Sequence, residues 1–322
     1  MKQRLPVIIL FFFSFACSSP SPKDRPTTQT ASVKKSQNGY TWTQLLDSAS
    51  WDKSYNFQMF SLRDTLWVFH PDGTWFSPDG NHWDKSPLPN ALFNLAFLDY
   101  IPFKDAVYGL GRFEGNIERF EFKPEIYRTA DLRQWDTLSR NSNLPERFFY
   151  HPFVFEDKIW IIGGEDRNVK FADIWNSADG IHWVKQRDHL PFGKTSGGQV
   201  VELNGTLFLL NNDVWSSTDG LNWEQVAREI VPGVSLFGYA AVAFDGRIWL
   251  LGCNRNGQFT SQVLVSSDGK NWEEQQAPWS PRGGIAACVF RDKVFMTGGK
   301  YGGTPDHVEF RYSNDLWALE KK

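Results

Sequence analysis

Residues 177–183 read SADGIHW, and close copies of this stretch recur along the chain. The other complete copies are SPDGNHW at 77–83, STDGLNW at 217–223 and SSDGKNW at 266–272. In each copy an Asp-Gly step lies between alternating apolar residues, and glycine tolerates the positive φ that a tight hairpin turn needs. The Ser and Asp side chains can also accept hydrogen bonds from nearby backbone amides. The pattern therefore predicts a β-hairpin at each copy.

Aromatic residues eight positions apart frame these turns. The Trp pairs are Trp75 and Trp83, Trp175 and Trp183, and Trp215 and Trp223. In two other pairs the first residue is not Trp but the spacing is the same. These pairs are Tyr127 with Trp135, which flank the degenerate turn TADLRQW, and Leu264 with Trp272. Two further apolar runs precede each pair, as in RFFYHPFVFEDKIWIIGG at 147–164. A unit of four antiparallel strands that repeats about every 40 to 50 residues is typical of a β-propeller.

The two ends of the chain look like parts of one unit. GYTWTQL at 39–45 matches GLNWEQV at 220–226, which ends a complete unit, while the last unit stops after Trp317 without a second Trp. A propeller has to cover its first and last strand edges. We therefore predict an all-β, six-bladed propeller of four-stranded antiparallel blades over residues 39–318, closed by pairing the N-terminal strand around Trp42 with the C-terminal strand.

The units resemble kelch repeats. Gly163-Gly164 and Gly298-Gly299 match the kelch double glycine, and Trp175 and Trp183 match its later aromatic positions. The turn sequence is also similar to the Asp-box of bacterial sialidases, one residue shorter. These resemblances imply a galactose-oxidase-like propeller but no particular activity, because one fold carries many functions. The Tyr, Cys and His copper ligands of galactose oxidase cannot be placed here, so we expect no metal and no cofactor.

The N-terminal segment reads as a targeting sequence. A basic start and an apolar run make residues 1–16 a signal peptide, too short for a permanent membrane helix. Cys17 follows directly and resembles the lipidated cysteine of bacterial lipoproteins. Residues 17–38, rich in Pro, Ser and Thr, predict a disordered tether. We expect an outer-membrane lipoprotein of a bacterial cell envelope, periplasmic or surface-facing; an ordinary secretory signal is the alternative.

Composition limits the partners. With 34 Lys and Arg against 37 Asp and Glu, the net charge of −3 gives no reason to expect nucleic acid. We expect a monomer that touches the membrane only through its lipid anchor. Cys253 and Cys288 fall on inner strands of neighbouring blades, so a disulfide is possible in an oxidising compartment. The distance between the two Cα atoms decides whether it forms, and we favour buried free thiols.

Candidate ligand residues come from loops that share one face of a propeller. These loops precede the innermost strand or follow the second strand of each blade, and they surround the central axis. Basic side chains in them could bind carboxylates or phosphates through paired N–H groups; the alternative is a rim of solvated charges. The candidates are Arg112, Arg147, Glu165, Arg167, Arg255, Arg282 and Lys300.

Two classes of function remain. The first is a non-catalytic propeller that binds a glycan or a protein. The second is a sugar-processing enzyme similar to the kelch mutarotase, or epimerase, of N-acetylneuraminate, with Glu165 or Glu114 for proton transfer and Arg167 or Arg255 for the sugar acid. A sialidase is a weaker alternative because its characteristic RIP opening is absent. An enzyme needs a carboxylate and at least two arginines around a common axial pocket, whereas a binding protein can leave them dispersed.

Loop length predicts the shape of the functional face. The loops after the second strands are short in the first and fourth units and long in the other four. In a ring of six, the first and fourth blades are opposite, so two low walls would leave a groove across the axis. Long loops on a rigid scaffold commonly carry binding sites. We predict an open groove for an extended, acidic ligand; long loops that sealed the axis would favour the mutarotase-like alternative.

Overall fold

The structure, a computed structural model, describes residues 33–35, 39–55, 57–87, 100–115, 120–166, 168–303 and 308–322, and regular structure in these ranges is entirely β. The described strands, in chain order, are β1 (Val33–Lys35), β2 (Tyr40–Leu46), β3 (Gln58–Leu62), β4 (Thr65–His70), β5 (Gly73–Ser77), β6 (Asp84–Lys85), β7 (Tyr100–Phe103), β8 (Ala106–Gly115), β9 (Phe120–Thr129), β10 (Asp136–Ser139), β11 (His151–Phe155), β12 (Lys158–Ile162), β13 (Ile174–Ser177), β14 (Val184–Arg187), β15 (Gln199–Leu203), β16 (Thr206–Leu210), β17 (Val214–Ser217), β18 (Glu224–Ala227), β19 (Leu236–Phe237), β20 (Ala240–Phe244), β21 (Arg247–Leu251), β22 (Cys253–Arg255), β23 (Gln258–Thr260), β24 (Gln262–Ser266), β25 (Trp272–Gln276), β26 (Ala286–Phe290), β27 (Lys293–Thr297), β28 (Lys300–Tyr301), β29 (Arg311–Tyr312) and β30 (Leu316–Lys321).

Most strands belong to four-stranded antiparallel sheets, which we call blades. The first four blades each use four consecutive strands: β3 to β6, β7 to β10, β11 to β14 and β15 to β18. The fifth blade is β20-β21-β24-β25, and the sixth is β26-β27-β30-β2. Two small sheets, β19-β22-β23 and β28-β29, are built from the loops of the fifth and sixth blades. The all-β class and the four-stranded blades of a propeller are as predicted.

The first strands of the blades contact one another in a circular order. β3 contacts β7, β7 contacts β11, β11 contacts β15, β15 contacts β20, β20 contacts β26, and β26 contacts β3. The first strands therefore lie innermost. The third and sixth blades are separated by two blades in either direction.

Large aromatic side chains pack the space around the blades. Trp249 is fully buried, and Trp75 and Trp272 are 1% exposed. Trp51, which precedes the first blade, lies edge-on against Trp75 and Trp83, with ring centroids 5.8 Å and 5.0 Å away. Each such ring removes a large apolar area from water, and edge-to-face contacts add to that stabilisation. The tryptophan spacing in the sequence thus reflects core packing.

The repeated turn has the geometry that its sequence predicts. In the third blade, Ser177 Oγ accepts a hydrogen bond from the Gly180 amide at 2.8 Å, and the Trp183 indole N–H donates to the Gly180 carbonyl at 2.9 Å. Asp179 Oδ1 accepts from the two amides that follow Gly180, at 2.8 Å and 2.9 Å. Gly180 has a φ of 78°. In the degenerate copy, Leu132 adopts the same left-handed region with a φ of 54°.

Strands from the two ends of the chain pair in the sixth blade. Tyr40–Leu46 runs antiparallel to Leu316–Lys321, with Trp42 opposite Leu319. The Trp42 ring packs edge-on against Trp279 with centroids 4.3 Å apart. The described N-terminal strand that contains Trp42 thus completes a four-stranded sheet with β26, β27 and β30.

The N-terminal predictions fall mainly outside the described residues. The signal peptide at 1–16, Cys17 and most of the tether at 17–38 are not among them. Val33–Lys35, inside the predicted tether, forms a short strand parallel to the outer strand of the fifth blade, starting opposite Trp272. No helix that could cross a bilayer occurs in the part of the chain that the structure describes.

Both described cysteines are free thiols. Cys253 is buried in β22 of a small sheet, and Cys288 is half-buried in the innermost strand of the sixth blade. Cys253 is not on an innermost strand. The second strand of the fifth blade ends at Leu251, and Gly252, with a φ of 56°, redirects the chain into β22.

Candidate functional site

The innermost strands begin around a cavity of about 520 Å³, to which each of the described blades contributes. Its lining is dominated by glycine, alanine, other apolar and aromatic residues. The lining residues are Phe57, Gln58, Met59, Tyr100, Ile101, Phe149, Tyr150, Pro152, Gly197, Gly198, Gln199, Val200, Gly238, Tyr239, Ala240, Ala241, Gly284, Ile285, Ala286 and Ala287. We call this space the axial cavity.

Two glutamines supply the side-chain amides of the axial cavity, and both join neighbouring blades. Gln58 accepts from the Tyr100 amide at 3.0 Å and donates to the Tyr100 carbonyl at 3.4 Å. Gln199 accepts from the Ala241 amide at 2.6 Å and donates to the Tyr239 carbonyl at 2.8 Å. No lining residue is charged. Charged groups that could act on a ligand in the cavity must therefore come from its rim.

On the side of the sixth and first blades, the rim carries an ammonium group among aromatic rings. Lys300 Nζ lies 4.4 Å from the centroid of the Tyr55 ring and 4.9 Å from that of Phe310. Tyr55 in turn stacks on Tyr312, with centroids 5.6 Å apart and planes 21° apart. Burial lowers the pKa of Lys300 and raises the pKa of Tyr55. We call these four residues the aromatic–lysine platform.

The backbone places this platform beside the axial cavity. Lys300 exchanges backbone hydrogen bonds of 2.8 Å and 3.0 Å with Gly283, the neighbour of the cavity-lining Gly284. Tyr55 precedes the cavity-lining Phe57 by two residues. The backbones of Tyr55 and Lys300 therefore lie beside residues that line the cavity, Tyr55 before the first blade and Lys300 in the sixth.

On the side of the third blade, the rim carries a carboxylate. Glu165 exchanges two backbone hydrogen bonds of 2.9 Å with Phe148, the neighbour of the cavity-lining Phe149. Ser196 Oγ donates to Glu165 Oε2 at 2.9 Å, and Lys170 Nζ lies 3.7 Å from the same oxygen. Glu165 thus occupies in the third blade the place that Lys300 occupies in the sixth.

Arg147 and Arg282, two of the candidate ligand residues, are buried in internal ion pairs. Arg147 is 1% exposed and binds both carboxylate oxygens of Asp173, at 2.8 Å and 3.2 Å. Arg282 is 2% exposed and binds Asp315 in the same way, at 2.5 Å and 3.0 Å. Each arginine also donates to the carbonyl of the first residue of its double glycine, at 2.7 Å and 3.3 Å. The prediction that they contact a ligand does not fit this burial; they hold the loops of their blades.

Arg112 and Arg255 are also paired within their own blades. Arg112 Nε donates to Glu125 at 2.8 Å, and Arg255 Nη1 donates to Glu274 at 3.1 Å, with 22% and 15% of the arginine side chains exposed. Burial would raise the pKa of Glu125, but hydrogen bonds from Tyr127 and Arg112 hold it below its usual value. Neither arginine lines the axial cavity.

Two remaining candidates lie beyond what the structure describes. Arg167 is outside the described residues, and so is the side chain of Glu114. Of the seven predicted ligand residues, the structure therefore brings Glu165 and Lys300 to the rim of the axial cavity. No group of His, Cys, Asp and Glu side chains that could hold a metal ion is found among the described residues.

Sequence reasoning missed several residues of the site. Asp173 and Asp315 each precede a Trp by one intervening residue and accept a hydrogen bond from its indole N–H, at 2.7 Å and 2.8 Å. That Asp-x-Trp spacing was a visible signal for the internal partner of each arginine. Phe149 lines the cavity at a position where the fourth, fifth and sixth blades have glycine, and the contrast between RFFY at 147–150 and RGGI at 282–285 was also visible.

Comparisons with known proteins agree with the propeller fold. A family model described as the DUF6242 beta propeller domain matches residues 129–318, which is more than half of the chain. A solved structure described as "Structure of YjhT" superposes with a TM-score of 0.67 over 84% of this chain and 96% of that chain, at 12% sequence identity. At that identity the similarity concerns the fold alone. No curated protein matches the chain.

Proposed function

The chain belongs to the DUF6242 beta propeller family, and from this premise we propose that it is a non-catalytic propeller that binds an acidic saccharide at the mouth of its axial cavity. The observation that carries the proposal is the axial cavity itself. No charged residue lines it, every described blade contributes to it, and backbone hydrogen bonds join Lys300 of the aromatic–lysine platform to Gly283, the neighbour of a lining residue. A concave, mostly apolar site with a few polar groups is the usual form of a small-ligand site.

The proposed scaffold is a ring of six kelch-like blades closed by the two ends of the chain. Its support is the circular order of contacts among the six innermost strands and the pairing of Tyr40–Leu46 with Leu316–Lys321. A side-chain contact reinforces that pairing, because the Tyr40 hydroxyl donates to Asp245 of the fifth blade at 2.5 Å. Closure of this kind would leave no free strand edge between the first and last blades.

We also propose that the chain is a monomeric lipoprotein of a bacterial cell envelope, held at the outer membrane through Cys17. The support is the order of basic start, apolar run and cysteine in residues 1–17. A tether would let the propeller meet glycans at the periplasmic or outer surface. Replacing Cys17 with Ser is expected to move the protein from the membrane fraction to the soluble fraction.

The chemistry of the rim favours a sugar that carries a carboxylate. An aromatic ring packs well against the apolar face of a pyranose, because sugars expose C–H groups on that face. Tyr55 stacks on Tyr312 and also contacts Lys300, so the ligand would pack against the face of Tyr312 that is turned away from Tyr55. Lys300 Nζ lies 4.4 Å from the Tyr55 ring and would place a positive charge beside a sugar bound at the platform. Desolvated charge pairs are stronger than exposed ones, so partial burial of Lys300 strengthens its attraction for a carboxylate.

The dispersed arginines favour binding over catalysis. Arg112, Arg147, Arg255 and Arg282 each pair with a carboxylate of their own blade, and none lines the axial cavity. A sugar-processing enzyme of the mutarotase type needs a carboxylate and two arginines that converge. The sialidase alternative needs three. Neither set converges on the cavity among the described residues.

One observation supports an enzyme as the second candidate. Glu165 places a carboxylate at the rim, in the position that matches Lys300. A carboxylate and an ammonium at one cavity could move a proton during ring opening of an acidic sugar such as N-acetylneuraminate. Exchange between anomers, followed by proton NMR, tests this candidate directly; exchange that the protein accelerates would replace the binding proposal.

Binding can be tested with a printed array of acidic and neutral oligosaccharides, followed by calorimetric titration of the strongest binder. We expect carboxylated glycans to give the strongest signals. Tyr312→Ala removes one ring of the platform and should weaken binding of all glycans. Val184→Ala, an exposed change on the outer strand of the third blade, is the matched control. A chain that binds no glycan on the array would refute the proposed function.

A further inference from the structure

Four blades enter their innermost strand through the same backbone conformation. Two residues before the strand, Phe149, Gly197, Gly238 and Gly284 have φ values of 52°, 78°, 69° and 67°. All four residues line the axial cavity. Three blades therefore use glycine in this left-handed region, and the third blade uses phenylalanine. A bulky side chain with a positive φ is strained, because its Cβ crowds the following carbonyl oxygen.

Hydrogen bonds show that these positions are equivalent. The Gly197 amide donates to the Phe149 carbonyl at 2.9 Å, and the Gly284 amide donates to the Gly238 carbonyl at 2.6 Å. The same hydrogen bond between equivalent turns thus links the third blade to the fourth and the fifth blade to the sixth. Phe149 therefore occupies, in the third blade, the position that glycine occupies in the fourth, fifth and sixth blades.

Packing does not require a side chain at this position. A Cβ added at Gly197 would meet no other atom within 4 Å, and one added at Gly238 would have its nearest contact at 3.5 Å, with the Gly284 amide. At these two glycines the position faces open space. Phe149 is half-buried, and its ring lies edge-on to Phe148 with centroids 5.2 Å apart. The turn therefore forms without a side chain in other blades, and the third blade has a strained aromatic residue where glycine suffices.

We propose that Phe149 is a ligand-contacting residue, whose ring supports the apolar face of a bound pyranose from the third-blade side of the axial cavity. Strained residues persist where function uses them. The aromatic–lysine platform would bound the same site from the sixth-blade side. This inference rests on the proposed function and names a residue of that site that is not charged and that no motif marks.

Two substitutions separate the strain from the ring. Phe149→Ala removes the ring and keeps a Cβ at positive φ, whereas Phe149→Gly removes both. Both variants lack the ring, so their difference reports the relieved strain less the greater unfolded-chain entropy of glycine. The strain is the larger of the two, and the Gly variant should melt about 2 °C above the Ala variant. Both variants should bind the strongest array glycan about tenfold or more weakly than the wild type. Val184→Ala should match the wild type in melting and in binding.

The outcomes distinguish this inference from the proposed function. Wild-type binding that both Phe149 variants lose supports the inference. Wild-type binding that both variants keep overturns it and leaves the proposed function standing. A wild type that binds nothing on the array overturns both. A Gly variant that melts at or below the Ala variant removes the strain from which the inference starts and overturns it as well.

Discussion

The third and sixth blades are built on the same internal scaffold, but they present different side chains to the axial cavity. Each has a buried arginine that binds an aspartate and the carbonyl of a double glycine, and in each the aspartate accepts from a tryptophan two residues later. The shared set is Arg147, Gly163, Gly164, Asp173 and Trp175 in the third blade, and Arg282, Gly298, Gly299, Asp315 and Trp317 in the sixth.

The differences lie around the cavity. After the double glycine, the third blade has Glu165 and the sixth has Lys300. In the turn before the innermost strand, the third blade has Phe149 and the sixth blade has Gly284 at the equivalent position. Residues that the two blades share hold each blade together, whereas residues that differ give the cavity unlike walls. Because residues of both blades line the cavity, a ligand that filled it would contact Phe149 on one side and Gly284 on the other.

The two blades also differ in how the chain completes them. All four strands of the third blade are consecutive, whereas the outer strand of the sixth is Tyr40–Leu46 from the other end of the chain. Deleting residues 39–47 should therefore have the largest effect. It removes the half-buried Trp42 together with the strand that pairs with Leu316–Lys321, so the loss of unfolding free energy should exceed the roughly 2–5 kcal/mol of a single large-to-small core substitution. Thermal and urea denaturation would measure the loss. A deletion variant that melts like the parent would contradict closure by the chain ends.

The shared scaffold predicts equal losses in the two blades. Arg147→Met and Arg282→Met each leave a largely buried aspartate without its partner, and each should lower the unfolding free energy by about 3–5 kcal/mol. Urea denaturation measures both. Arg187→Met, on the exposed outer strand of the third blade, should cost less than about 0.5 kcal/mol. Adding Asp173→Asn to Arg147→Met should recover part of the loss. Two unequal losses would break the equivalence of the blades.

A buried histidine distinguishes the blades in their response to pH. His151 begins the innermost strand of the third blade, where the sixth has Ala286. Burial lowers the pKa of His151 to about 4 from 6.5, so the folded state favours the neutral ring. The contribution of the neutral ring to the unfolding free energy is complete above pH 6.5. Roughly 3 kcal/mol of it is lost as the pH falls toward 4. Unfolding free energies at pH 7 and pH 4 should differ less in His151→Ala than in the wild type. The exposed His189→Ala should keep the wild-type difference.

The sequence predicts much of this fold because its signals are local. The Ser-x-Asp-Gly turn and the paired tryptophans mark strands and hairpins within each unit, and the match of Trp42 to Trp223 places the N-terminal strand. These local signals do not predict the shortest strands. Lys300–Tyr301 and Arg311–Tyr312 form only because tertiary contacts bring two loop segments together. A strand of two residues has no periodicity to detect.

The site was less predictable, because a charged loop residue can either form an ion pair inside its blade or lie at the rim of the cavity, and the sequence does not show which. Arg147 and Arg282 look like loop arginines in the sequence, and their partners Asp173 and Asp315 lie 26 and 33 residues further on. Only the folded chain shows that these pairs are internal. Glu165 and Lys300 lie in loops beside the cavity lining, and their contact with a ligand stays a prediction. The aromatic platform required three separate segments, around Tyr55, Lys300 and Tyr312, to meet.

The charge at the sixth blade should set ligand preference. Lys300→Met keeps the apolar stem of the side chain and removes the charge. Affinity for a carboxylated oligosaccharide should fall about tenfold, a loss near 1.4 kcal/mol, while affinity for a neutral oligosaccharide of equal length should not change. Titration calorimetry at two salt concentrations measures both. Lys185→Met, on the outer strand of the third blade, serves as control. An equal loss for both ligands would mean that Lys300 supports the rings rather than binding a carboxylate.

The charge at the third blade should have the smallest effect. Glu165→Gln keeps an oxygen that can accept from Ser196 Oγ and removes a charge that Lys170, 3.7 Å away, already offsets in part. Removing a screened charge across the cavity from the bound carboxylate should raise affinity for an acidic oligosaccharide by no more than about threefold, and the gain should shrink as salt is added. Titration at low and physiological ionic strength measures both effects. A large loss of affinity would show that the third-blade rim accepts hydrogen bonds from ligand hydroxyl groups. If the wild type accelerates anomer exchange and Glu165→Gln does not, the carboxylate moves a proton, and the unlike walls of the two blades are those of an enzyme.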